Sequence, residues 1–174
     1  MLTFAIEPLN QCWNEAMVLA SRHWEETESY RGQAFSPEYA RYESYERNGW
    51  FLGFTARDGG MLVAYAGIYL VPDMHTQELL CTEDAFFIEK AHRRGRTFLR
   101  FYKYIESEVK ARGAARILFT APVTNGTGRL LEKLDYKPVS VQYSKLIGRA
   151  DSAQVPLTVV TEKSDVRSFP SPAS

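Results

Sequence analysis

The stretch that most constrains this chain runs over residues 83–106, where three local signals follow one another without a gap. Phe86, Phe87 and Ile88 form a short apolar run, Arg93-Arg94-Gly95-Arg96 makes a basic turn, and Phe98, Phe101, Tyr102, Ile105 and Val109 recur at the spacing of one helix face. The stretch therefore reads as strand, tight turn, helix. A helix start leaves its first backbone N–H groups without intrahelical partners and carries the positive end of the helix dipole. With arginines crowded at its mouth, such a start suits a polyphosphate-sized anion.

The remaining elements fall into place around it. Residues 2–6 are a short apolar run that reads as a first strand. Asn10 is placed to cap a helix on which Trp13, Ala16, Met17, Ala20 and Trp24 share a stripe. Ser36-Pro37-Glu38 is a helix start signal, and Tyr39, Tyr42 and Tyr45 follow at helical spacing, more as a packed face than as a binding surface. Two strand-like runs, 50–57 and 61–71, are joined by Asp58-Gly59-Gly60, a hairpin signal. Residues 78–88 supply the next strand. After the basic turn, a helix ending at Gly113 crosses over to a strand at 116–121, followed by a short helix at 128–134 and a final strand at 139–147. This order predicts an α/β (α+β) fold with a mixed, mostly antiparallel sheet flanked by helices.

At 174 residues the chain has room for one ordinary domain, expected over 1–148. Residues 149–174 lose periodicity and read as a tail, in which 157–160 is apolar enough to add an edge strand or to pack on a second copy in a homodimer. The 21 Lys and Arg balance the 21 Asp and Glu, which argues against a dedicated nucleic-acid binder. Cys12 and Cys81 lie within element interiors, as reduced thiols would. His23, His75 and His92 share no metal-ligand spacing, so no metal is expected. With no leader pattern and no apolar run of spanning length, the expectation is a cytoplasmic protein with no membrane partner.

The basic turn, its flanking strand and helix, the strand at 116–121, Asn125 and the run Leu130-Leu131-Glu132-Lys133-Leu134-Asp135-Tyr136 together resemble the GCN5-related N-acetyltransferases (GNAT family), in the manner of phage and bacterial members. The family's motif, Gln/Arg-x-x-Gly-x-Gly/Ala, matches the register from Arg93 to Phe98. Arg96 and Phe98 stand where glycine or alanine is usual, and both carry a Cβ that restricts positive φ. The resemblance covers roughly residues 50–147. It implies acetyl-CoA as co-substrate and an amine as acceptor. Phosphates would be held by Arg93, Arg94, Gly95, Arg96, Thr97 and Phe98. The pantetheine arm would pair with the backbone of Phe86, Phe87 and Ile88, where the central strand splays from its parallel neighbour, and Asn125 would also bind the coenzyme. Family members commonly build the acceptor wall from the loop between the first two helices, here residues 24–35.

Transfer to an amine needs a proton acceptor. Asp84 and Glu83 sit on the central strand at the fitting distance upstream of the turn. Neighbours on a strand face opposite ways, so one of them meets the cleft; Asp84 is preferred, with Glu83 the alternative. His75 and Glu26 are secondary candidates. Where the family keeps a tyrosine that protonates the departing thiolate, this chain has Leu131, leaving Tyr143, Tyr136 or water. The sequence thus reads as an acetyltransferase acting on an amine of a small molecule or protein by direct attack. The rival is a catalytically silent relative that binds a protein or nucleic-acid partner.

Overall fold

In the computed structural model, which describes residues 1–122 and 126–145, a five-stranded sheet runs in the order β1-β2-β3-β4-β5. Its strands are β1 (Leu2–Ile6), β2 (Phe51–Asp58), β3 (Met61–Pro72), β4 (Leu79–Ile88) and β5 (Arg116–Leu118). The first three junctions are antiparallel and β4–β5 is parallel, as a right-handed crossover through a helix demands. The helices are α1 (Leu9–Thr27), α2 (Tyr39–Arg47), α3 (Thr97–Ala111) and α4 (Thr127–Glu132). By internal packing the chain divides into a unit at Met1–Leu130 and a C-terminal one from Leu131 onward.

Alternation along β2 and β3 assigns the two faces of the sheet. Phe54, Ala56, Ala64, Ala66 and Ile68 turn to one side and pack with Phe101, Ile105 and Val109 of α3. All of these are nearly or wholly buried, and each large side chain contributes about 1.5–3 kcal/mol of transfer free energy. The opposite side takes α1, through Ala16 and Leu19 against Leu62 and Phe87. The hairpin turn is held by Gly59 and Gly60, both at positive φ as the two-residue primed turn requires. Arg57 then clamps β1, β2 and α1 together, its guanidinium donating to both Glu7 and Glu15 at 2.8–2.9 Å.

Helix starts differ from the sequence reading. Asn10 lies inside α1, whose first residue Leu9 instead donates its N–H to the Glu46 carboxylate of α2 at 2.9 Å. A carboxylate from a neighbouring helix does the work of a local cap, which no reading of adjacent residues reveals. Helix α2 begins at Tyr39 behind Glu38, with no cap from Ser36. Residues 139–145 of the C-terminal unit carry no strand, contrary to the expected final strand, and their side chains Val139 and Val141 are exposed for lack of a facing partner. Residues 146–147 and the 149–174 tail lie outside the described residues, as does Asn125.

Candidate functional site

Strand β4 carries the site. It pairs with β5 only at Leu80↔Arg116, Cys81↔Ile117 and Thr82↔Leu118, yet continues to Ile88. From Glu83 onward, through Phe86, Phe87 and Ile88, its β5-side edge has no strand partner among the described residues. Their side chains are engaged elsewhere. Phe86 meets Phe98, Phe101 and Phe119, Ile88 joins the α3-side core, and Phe87 packs on α1.

A β-bulge lies at the point of departure. Gly67 faces Ala85 and Ile68 faces Glu83, so Asp84 is the extra residue. The bulge resets the alternation, which places Asp84 and Ala85 together in one cavity below α1, while Glu83 stays out of its wall. Gly67 leaves the necessary room: a Cβ there would come within 2.9 Å of the Phe51 ring and 3.5 Å of Asp84 Oδ2. Asp84 accepts the Tyr42 hydroxyl at 3.1 Å and meets no cation among the described residues. Desolvation in the cavity raises its pKa from the ordinary aspartate value, offset in part by the Tyr42 bond.

Glu83 sits where the two strands part, accepting the Thr120 backbone N–H at 3.1 Å. Burial lifts its pKa to about 7; the Thr120 N–H opposes the shift, and the negative charges of Asp84 and Glu28 add to it. It wedges the opening between β4 and the segment after β5.

The cavity has a volume of about 280 Å³, is open to solvent on one side, and is bordered by α1, the loop after it, α2 and the sheet face. Trp24, Glu28, Arg31 and Phe35 line it, so the segment expected to form an acceptor wall does border this space. Tyr42, Tyr65, His23 and Trp13 line it as well, none of them a site candidate from the sequence. The Tyr39/Tyr42/Tyr45 stripe is a packed face, with Tyr39 and Tyr42 against Trp13 and Tyr45 against Trp50 and Tyr69, yet Tyr42 also reaches the cavity. His23 Nδ1 lies 2.9 Å from the Tyr65 hydroxyl, and burial lowers the His23 pKa, keeping the imidazole neutral.

The basic turn has its own logic. Gly95 alone takes the left-handed conformation, at φ 71°, whereas Arg96 precedes α3 at φ −103°. Phe98 is helical and stacks on Tyr102. The two residues that depart from the family's glycine or alanine therefore occupy conformations any side chain adopts. No side chain caps α3, so its first-turn N–H groups face outward beside the exposed Arg94 and Arg96, neither ion-paired among the described residues. Thr97 donates its hydroxyl to the Arg94 carbonyl at 3.3 Å, tightening the turn.

Arg93 is different. Its fork donates to both Glu26 oxygens at 2.6 and 2.9 Å and its Nε to the Ile88 carbonyl at 2.7 Å, with the guanidinium over Phe87. It fastens the turn to α1, and Glu26 is engaged in that pair. Tyr143, 94% exposed, belongs to the C-terminal unit, and Leu131 is the residue on α4. His75 donates its backbone N–H to Asp73 in an exposed turn remote from the cavity wall. Cys12 and Cys81 are buried free thiols. Among the described residues no helix is long and apolar enough to cross a membrane.

No protein-family model matches the sequence, and no curated protein matches it either. Solved structures do. An aminoglycoside acetyltransferase from an uncultured soil metagenomic sample superposes with a TM-score of 0.68 at 18% identity, over 85% of this chain and 99% of that one. The ribosomal-protein-alanine N-acetyltransferase of Brucella melitensis biovar Abortus 2308 gives 0.63 at 19% identity, over 85% and 100%. Glucosamine-6-phosphate N-acetyltransferase from Arabidopsis thaliana gives 0.65 at 11%, over 85% and 99%. At these identities the likeness is one of architecture, and the chain has the mixed, mostly antiparallel sheet of the GNAT fold.

Proposed function

We propose that this protein is an acetyltransferase that moves an acetyl group from acetyl-CoA to an amine. The observation that carries the reading is the parting of β4 from β5 at Thr82, which sets an open backbone edge at Phe86, Phe87 and Ile88 between the uncapped mouth of α3 and the Asp84 cavity. The residues present fit the coenzyme. The first-turn N–H groups of α3, together with Arg94 and Arg96, would hold its pyrophosphate, Gly95 supplies the turn, and the β4 edge offers N–H and C=O groups to an extended amide chain.

Acetyl-CoA supplies an acyl thioester that an unprotonated amine can attack. Asp84 is the proton acceptor in this reading. Its raised pKa makes it a stronger base than an ordinary carboxylate, and it lies in the cavity through which an amine would approach. Asp84 takes one proton from the ammonium, the freed lone pair forms the C–N bond, and the C–S bond breaks so that the thiolate leaves with its electron pair. The second proton lost from nitrogen as the amide forms passes through water to the thiolate and completes the thiol.

The test is Asp84→Asn, which keeps shape and removes basicity. Transfer should fall by about 10²–10⁴, the share that general-base catalysis contributes. Acetyl-CoA affinity by calorimetry should remain within about twofold of the unsubstituted chain, because the β4 edge and α3 mouth are untouched. Equal transfer rates across the pH range would remove Asp84 from this role, and a protein that binds acetyl-CoA but acetylates no amine would be a silent binder.

A further inference from the structure

The cavity wall specifies more about the acceptor than that it is an amine. Trp13, Trp24, Phe35, Tyr42, Phe51 and Tyr65 give the space an aromatic lining. Three formally charged side chains reach it: Glu28, Arg31 and Asp84. Glu28 and Arg31 are ion-paired with each other, and the Arg31 guanidinium also lies over the Trp24 ring at 5.8 Å. His23 is neutral through burial. One carboxylate without a cation remains, Asp84, held by the Tyr42 hydroxyl alone.

From this balance we propose that the acceptor is a small primary amine with a single positive charge and an aromatic body; the proposal rests on the acetyl-transfer reading. One ammonium pairs with Asp84, and the aromatic rings accept both the cation's fringe and the ring it carries. A polycation such as an aminoglycoside would place its second and third ammonium groups against apolar wall without a carboxylate, which is costly. A sugar phosphate would bring two negative charges to a site whose arginine is already paired and whose free charge is negative. The volume of about 280 Å³ admits a phenyl or indole ring with a two-carbon arm.

The test uses the full chain with 2-phenylethylamine, ethanolamine, glucosamine 6-phosphate, the aminoglycoside kanamycin and a short alanine-initiated peptide. Each acceptor is followed by mass spectrometry of the acetylated product and by calorimetry in the presence of coenzyme A. The expected result is a kcat/KM for 2-phenylethylamine about tenfold or more above every other acceptor, from burial of its ring. Trp13→Ala should raise its KM severalfold with acetyl-CoA affinity unchanged. Preference for kanamycin, the sugar phosphate or the peptide overturns the proposal, as does acetyl-CoA binding with no saturable 2-phenylethylamine binding. Saturable 2-phenylethylamine binding in a chain that neither binds nor uses acetyl-CoA keeps the ligand class and rejects the acetyl-transfer reading instead.

Discussion

Replacing Glu83 by Gln should make the protein more stable at neutral pH and abolish one component of its pH dependence. Burial holds the Glu83 pKa at about 7, against an ordinary value of 4.5 that the unfolded chain recovers. Below pH 4.5 both states are protonated and the group contributes no difference. Between the two values the folded protein keeps a proton that the unfolded chain has released, so stability falls as pH rises. Above pH 7 both are ionised and the folded state carries the full cost of a desolvated carboxylate. At 1.36 kcal/mol per pH unit the cost is on the order of 3 kcal/mol. Glutamine is neutral throughout and retains a carbonyl to accept the Thr120 N–H. Urea unfolding of both proteins from pH 4 to 8.5, followed by tryptophan fluorescence, should show their stability difference growing from near zero to about 3 kcal/mol and levelling above pH 7. Asp84 and the paired carboxylates are common to both chains, so the difference reports Glu83 together with its coupling to Asp84 and Glu28. A difference flat with pH, or a variant less stable at pH 8, would show that the carboxylate is charged in the folded state and stabilised by the Thr120 N–H.

Arg93→Ala should lower stability by about 1–2 kcal/mol in urea unfolding, through loss of the part-exposed Glu26 pair and the Ile88 bond, whereas Arg94→Ala should leave stability unchanged and weaken acetyl-CoA binding by about 1–3 kcal/mol in calorimetry. Gly95→Ala meets no atom within 4 Å but must hold φ at 71°, so it should cost about 1–2 kcal/mol in the same unfolding measurement. Gly67→Ala should cost about 1–3 kcal/mol by overpacking, because its Cβ presses on the Phe51 ring, and it should reduce transfer by displacing Asp84.

What the sequence disclosed, and what it did not, follows from the range of the interactions involved. Strand β1, the β2–β3 hairpin with its Gly59-Gly60 turn, the buried stripe of α3 and the parallel crossover into β5 were legible because local periodicity and turn chemistry determine them. The bulge at Asp84 was not: nothing in Thr82-Glu83-Asp84-Ala85 announces an extra residue, which exists only relative to the register of β3. Asp84 lines the cavity below α1 and Glu83 does not, but simple alternation does not explain why Ala85 shares that cavity. Arg93 was indistinguishable from Arg94 and Arg96 in the sequence because its partner Glu26 lies on a distant helix, 67 residues away. Tyr42 and Tyr65 were hidden for a related reason: a tyrosine on a packed face looks the same in sequence whether or not its hydroxyl reaches a cavity. The break in β4–β5 pairing is implied only by the family resemblance and not by local pattern, since strand length in a parallel pair depends on where the partner turns away.

In the proposed function acetyl-CoA lies along the open edge of β4 and against the mouth of α3. Amide hydrogen exchange on the full chain, with and without saturating acetyl-CoA, addresses this directly. Slowed exchange confined to residues 85–88 and 94–98, with the β1–β2 junction unaffected, is the predicted result. Unchanged exchange at both segments in a folded protein at millimolar acetyl-CoA, or protection that falls elsewhere, would contradict it.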